Sequence, residues 1–126
     1  MKRDWSKCSI LIVDDDLTSI ILFEEFLSTT QVMIFSASNS TEALEIVEKH
    51  PIDLILMDLQ LEDISGFILQ SVIREINPNI PIIAETAYAS IEDRRKCIAS
   101  GFNGFISKPI SFEILIHEMD KYLTSE

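Results

Sequence analysis

Ile10-Leu11-Ile12-Val13 runs straight into Asp14-Asp15-Asp16, and this stretch decides the fold. Four apolar residues, three of them β-branched, are too few for a helix and end at a polar turn, the pattern of a short buried strand. Three other stretches repeat it. Leu54-Ile55-Leu56-Met57 ends in Asp58, Ile82-Ile83-Ala84 runs through Glu85 into Thr86, and Phe105-Ile106-Ser107 ends in Lys108-Pro109. If the runs are parallel strands of one sheet, their carboxyl ends share one edge. The acids, the hydroxyl and the ammonium then converge on one pocket, suited to a divalent metal and a phosphoryl group.

Between the runs the spacing predicts helices. The first covers about residues 18–27. The second covers 40–49, with Asn39 as N-cap and Glu42 as its capping-box partner, and it closes at His50-Pro51. The third covers 67–76 and stops at Asn77-Pro78. Ser90 caps a fourth that Gly101 terminates, and Ser111 caps a last one with apolar positions at Phe112, Leu115, Ile116, Met119 and Leu123. Residues 32–36 supply one more strand, which ends without a chemical group and so fits the sheet edge. Strand and helix alternate throughout, which predicts an α/β domain with a parallel sheet covered on both faces. If Leu22, Phe23 and Phe26 of the first helix point to the sheet, Ile20, Ile21 and Leu27 lie partly on other faces; the blander reading is one wide buried stripe.

Composition bounds the function. The chain has 126 residues, 47% hydrophobic and 25% charged, which fits one soluble domain with its core at about 9–124. No apolar run approaches the roughly 20 residues needed to span a bilayer. The start, Met1-Lys2-Arg3-Asp4-Trp5, lacks a signal-peptide pattern, so the expected compartment is the cytoplasm. A net charge of −11 repels nucleic-acid phosphates and argues against direct binding to them. Cys8 and Cys97 form no metal or redox motif and read as buried thiols; His50 and His117 stand alone.

Asp14, Asp15 and Asp16 together with Asp58 crowd negative charge that a cation must offset, and hard oxygen donors of this kind suit Mg²⁺. The blander reading of the triple acid is a solvated turn that caps the first helix. Asp58 can also act as a nucleophile on phosphorus. Lys108 offers positive charge to phosphoryl oxygens, and Thr86 offers a hydroxyl.

ILIVDDD at 10–16, DLILMD at 53–58, SGF at 65–67, PIIAETAYA at 81–89 and GFNGFISKPI at 101–110 together resemble the receiver domain of two-component response regulators, across essentially the whole chain. The PIIAETAYA stretch resembles receivers of hybrid histidine kinases most. The resemblance implies a flavodoxin-like (βα)5 doubly wound sheet of five parallel strands in the order 2-1-3-4-5. It implies Asp58 as phosphoacceptor and Mg²⁺ held by Asp15, Asp58, the backbone carbonyl of Gln60 and, through water, Asp14. Lys108 would contact the phosphoryl group, with a Lys108–Pro109 peptide commonly cis. Thr86 and Phe105 would form the switch, and Gln60 and Tyr88 would tune phosphoryl lifetime. The partners implied are a histidine kinase or histidine phosphotransfer protein, docking near Ile20, Ile21, Pro109 and Ile110. A downstream protein would read the face made by the fourth helix, fifth strand and fifth helix. The loop after Asp58 lacks the family's frequent proline, and Phe105 lacks the hydroxyl of the commoner tyrosine.

Two other readings remain. Asp14-x-Asp16-x-Thr18 also matches the nucleophile motif of haloacid-dehalogenase-type phosphatases, with Asp14 as nucleophile and Asp16 as acid/base, though this leaves Asp58 without a role. The chain could also be an unphosphorylated interaction module on the receiver fold.

Overall fold

The computed structural model describes residues 3–87 and 90–123. Its elements are β1 (Ser9–Val13), α1 (Leu17–Leu27), β2 (Met33–Ala37), α2 (Ser40–Lys49), β3 (Leu54–Asp58), α3 (Gly66–Ile76), β4 (Ile82–Thr86), α4 (Ile91–Ala99), β5 (Gly104–Ser107) and α5 (Phe112–Asp120). The strands form one sheet in the order β2-β1-β3-β4-β5, all parallel. This is the flavodoxin-like order expected from the sequence. The chain goes from β1 outward to β2, then crosses back to β3 on the other side. That reversal opens a crevice beyond the carboxyl ends of β1 and β3, where ligands of such sheets sit.

Side-chain alternation divides the core in two. Leu11, Val13, Ile55, Met57, Ile82, Ala84 and Phe105 pack on one sheet face, with Leu69 and Ile73 of α3 and Cys97 of α4. Ile10, Ile12, Leu54, Leu56, Ile83 and Ile106 pack on the other, with Ile20, Phe23 and Leu27 of α1 and Leu115 and Met119 of α5. β3 and β4 are buried at every position, which explains their unbroken apolar runs. Each full-sized apolar side chain buried here contributes about 1.5–3 kcal/mol. β2 is half exposed and lies at the edge, as expected.

The helix starts follow the sequence signals. Asp16, Asn39, Ser65, Ser90 and Ser111 each accept a backbone N–H of the first turn. Ser90 completes a capping box with Asp93. Glu42 differs from expectation: its carboxylate accepts from the N–H and hydroxyl of Ser38, one residue before the cap, so Asn39 works without it. Gly101 ends α4 at φ +112°, a conformation that favours glycine.

The orientation of α1 is a correction. Starting at Leu17 behind the Asp16 cap, the helix turns Ile20, Phe23 and Leu27 into the core at helical spacing. Ile20 is 8% exposed, whereas Leu22 is 39% and Ile21 49% exposed. The phase of the helix is set by its cap, and the apolar residues alone do not reveal it. Phe26 is half-buried, edge-on to Phe112 of α5.

Candidate phosphoacceptor site

The same alternation that sorts the core sorts the polar residues at its edge. Asp14 follows Ile10 and Ile12, Asp58 follows Leu54 and Leu56, and Glu85 follows Ile83, so all three fall on the α1/α5 face. Thr86 falls on the opposite face with Ile82 and Ala84.

Asp14 is fully buried, Asp58 is 3% exposed and Asp15 is exposed. One carboxylate oxygen from each lies within 4.8 Å of the others. Loop N–H groups fix their orientation. The Asp16 N–H donates to Asp14 Oδ1 at 2.9 Å, the Gln60 N–H to Asp58 Oδ1 at 2.9 Å, and the Glu62 N–H to Asp15 Oδ2 at 3.0 Å. Each acid thus spends one oxygen on the loop and keeps the other for the pocket. Gly66 makes this loop possible. A Cβ there would lie 2.8 Å from the Asp58 carbonyl oxygen and the Leu59 Cα, so only glycine lets α3 start against the end of β3.

Lys108 follows β5 and reaches back across the sheet edge. Its Nζ is 3.5 Å from Asp58 Oδ2 and 3.8 Å from Asp14 Oδ2. Both exceed the 2.7–2.9 Å of a strong charge-assisted bond, so the ammonium is shared between the acids. The Lys108 N–H donates to the Thr86 carbonyl at 2.8 Å, and the Lys108–Pro109 peptide is cis, as the resemblance implied. Burial works against the Lys108 charge, but Asp14, Asp58 and Glu85 together hold its pKa above the ordinary lysine value. Burial pushes the Asp58 carboxyl above its usual range, and the Asp14 and Asp15 charges add to this against the Gln60 N–H and Lys108. Crowded, partly unpaired carboxylates built from hard oxygens fit a small divalent cation, which would relieve this repulsion.

The remaining expected residues divide. Thr86 is buried and lines a cavity of about 300 Å³ with Leu59, Gln60, Phe67 and Cys97, on the α4 side. Phe105 lies on that same face, 7% exposed, with the Arg94 guanidinium 5.1 Å from its ring centre. Asp16 faces away as the α1 cap, accepting from the Thr18 N–H and the Ser19 hydroxyl, which removes it as the acid/base of a phosphatase. Pro109 is exposed and Ile110 half-buried, lining one cavity with Leu22; Ile21 is exposed, and Ile20 is in the core and drops out of the docking set. Tyr88 lies outside the described residues.

The sequence reading gave Glu85 no role. It is 1% exposed, pairs in register with Asp58, and keeps both carboxyl oxygens without a hydrogen-bond donor among the described residues. Burial, then the adjoining Asp14 carboxyl, push its pKa well above the ordinary glutamate value. Asp14 Oδ2 is equally without a donor. The signal was available: a glutamate inside the apolar run of a fully buried strand is rare.

Among the described residues no helix is long and apolar enough to cross a membrane. Residues 10–120 match the family model "Response regulator receiver domain". The polar-differentiation response regulator DivK of Brucella anthropi is 33% identical over 117 residues, covering 91% of this chain and 95% of DivK. Hybrid signal transduction histidine kinase B of Dictyostelium discoideum is 34% identical over 128 residues; the match covers 90% of this chain but spans only 6% of that kinase's length. A chain in the co-crystal structure of the Saccharomyces cerevisiae histidine phosphotransfer signaling protein Ypd1 and the receiver domain of its downstream response regulator Ssk1 superposes with a TM-score of 0.85 at 27% identity, covering 97% of this chain and 90% of that one. Sequence, fold and acidic pocket agree, and the chain belongs to the response regulator receiver domain family.

Proposed function

We propose that this chain is a phosphorylation-controlled cytoplasmic switch that takes a phosphoryl group onto Asp58 from a phosphohistidine on a donor protein. The observation that carries this is the meeting of Asp14, Asp15 and Asp58 oxygens within 4.8 Å, with the Lys108 ammonium 3.5 Å from Asp58 Oδ2. The Asp58 oxygen attacks phosphorus in line; its O–P bond forms as the P–N bond breaks, and the imidazole leaves with the electron pair. Lys108 shifts from the carboxylates onto the phosphoryl oxygens. Asp15, Asp58 and the Gln60 carbonyl would hold Mg²⁺, with Asp14 acting through water, and the bound ion offsets the charge of the transferred group. The pocket promotes its own modification and does not turn over a metabolite.

Thr86 then moves toward the new phosphoryl oxygen, and Phe105, on the same sheet face, repacks under Arg94. That couples the pocket to the α4–β5–α5 surface, which a downstream protein reads. Gln60 and Tyr88 tune how long the phosphoryl group survives. The Ypd1–Ssk1 pair supports a histidine phosphotransfer protein or histidine kinase as donor. It would dock on Ile21, Pro109 and Ile110, joined by Leu17 and Leu22, which are 69% and 39% exposed. Ile21→Glu should slow transfer from the protein donor and leave labelling by a small phosphodonor unchanged.

The decisive experiment incubates wild type, Asp58→Asn and Asp14→Asn with Mg²⁺ and acetyl phosphate, and locates the adduct by mass spectrometry. Labelling at Asp58, lost with Asp58→Asn, is expected. Continuous phosphate release dependent on Asp14 would instead favour a phosphatase. No Mg²⁺-dependent response in wild type would leave an unphosphorylated interaction module.

A further inference from the structure

We propose that Glu85 is a positioning residue for the chemistry at Asp58, acting through Asp14 and Lys108. The inference rests on the receiver reading above and extends it to a residue that reading leaves unused.

Three observations carry it. First, Glu85 occupies a position that packing alone would give to leucine or methionine. All of β4 is buried, Glu85 is 1% exposed, and Ile83 on its own strand and Ile106, its partner in β5, are apolar on that face. A carboxyl buried without a donor is destabilising relative to a well-packed apolar side chain. Such a group persists where it serves a site. Second, strand register and alternation set it beside Asp58 and on the face of Asp14. On that face Asp14 Oδ2, like both Glu85 carboxyl oxygens, has no donor among the described residues. Third, Glu85 and Lys108 line one cavity of about 170 Å³, together with Leu22, Phe23 and Pro109.

The geometry assigns Glu85 two effects. Contact with Asp14 restrains the carboxylate that the loop holds only through Oδ1, and so fixes the direction in which Oδ2 faces the pocket. Lys108, at 3.5 and 3.8 Å from its two partners, is not locked by either. The polar wall that Glu85 adds to the Lys108 cavity keeps the ammonium at the sheet edge, where a phosphoryl group on Asp58 would need it. Supporting groups of this kind commonly change metal affinity by about tenfold or more when removed.

The test compares the wild-type chain, Glu85→Leu and Glu85→Gln, with Glu85→Met as a second apolar variant should leucine misfold. Mg²⁺ affinity is measured by NMR titration without any phosphodonor, alongside thermal melting and the rate and half-saturation of acetyl phosphate labelling. The apolar variants should bind Mg²⁺ about tenfold more weakly yet melt no lower than wild type. Glu85→Gln, which keeps the shape and a polar contact to Asp14, should recover Mg²⁺ affinity to within about twofold of wild type. A purely structural role predicts the reverse, lower melting with unchanged Mg²⁺ affinity, and that result overturns the proposal. Failure of Glu85→Gln to recover affinity overturns it as well. Absence of labelling in wild type would sink the phosphoacceptor function itself, whereas wild-type labelling with unaltered Mg²⁺ binding in the apolar variants sinks only the role of Glu85.

Discussion

The two edges of this sheet are built on opposite electrostatic principles. At the amino edge polar groups are matched. Ser9 and Asp53 exchange bonds across β1 and β3, with the Ser9 N–H donating to Asp53 Oδ2 and the Asp53 N–H to the Ser9 carbonyl, each at 2.8 Å. The Arg74 guanidinium donates to the carbonyls of Ile80 and Gly101 and to Asn103 Oδ1, while Asn103 bonds the backbone of Ile82. Arg3 grips Asp120 with its fork. At the carboxyl edge four acids, Asp14, Asp15, Asp58 and Glu85, gather where Lys108 is shared between Asp14 and Asp58, and buried oxygens of Asp14 and Glu85 lack donors among the described residues. The matched edge holds the fold, and the mismatched edge is held in place by it. Unsatisfied charge at one end is tolerable because the other end and both cores are closed.

Removing the clamp should have the largest effect. Arg74→Ala removes the donor from the Ile80 and Gly101 carbonyls and one of two donors from Asn103 Oδ1, and should lower unfolding free energy by about 3 kcal/mol. Denaturant titration measures this, and labelling per folded molecule should stay at the wild-type level. Loss of labelling without loss of stability would break the division between edges.

Relieving the opposite edge should stabilise. Asp58→Asn removes a carboxyl whose folded-state pKa is raised, so the metal-free variant should gain about 1 kcal/mol near neutral pH. Mg²⁺ at tenfold over its dissociation constant should raise wild-type stability by a similar amount, about 1.4 kcal/mol, and the gain should vanish in Asp15→Asn. Equal stability of wild type and Asp58→Asn without metal would show that the pocket carries no repulsion to relieve.

The smallest effect is in the sign of the pH dependence. Asp58, raised mainly by burial, contributes stability below its unfolded pKa that is lost as pH rises through its folded value. Asp120, held low by its hydrogen bonds to Arg3, contributes stability above its unfolded pKa that is lost as pH falls through its folded value. Asp120→Asn should therefore flatten the melting profile below about pH 4, and metal-free Asp58→Asn should flatten the limb above it. The same change of slope in both variants would contradict the assignment.

Much of this was legible in one dimension. β1, β3 and β4 read as strands because both sheet faces are covered and nothing polar interrupts Ile10–Val13 or Leu54–Met57. Asp14, Asp15, Asp58 and Lys108 were legible because each ends such a run, and a parallel sheet brings those ends together. The α1 surface was not legible. Ile20, Ile21 and Leu22 are alike in hydrophobicity, and only the Asp16 cap and the packing of Phe23 and Leu27 decide which of them is buried. Glu85 was visible yet uninterpreted, since its meaning depends on facing Asp14 rather than solvent.

The amino-acid sequence determined, by itself, the alternation of elements, their ends and the residues at the functional edge, because these follow from periodicity, capping and chain connectivity. Tertiary structure alone decided which oxygen of each acid faces the pocket, that Lys108 is shared between Asp58 and Asp14, that Thr86 and Phe105 lie across the sheet from them, and that Glu85 joins the site. Those features depend on strand register and helix phase, which packing in three dimensions sets and local sequence does not encode.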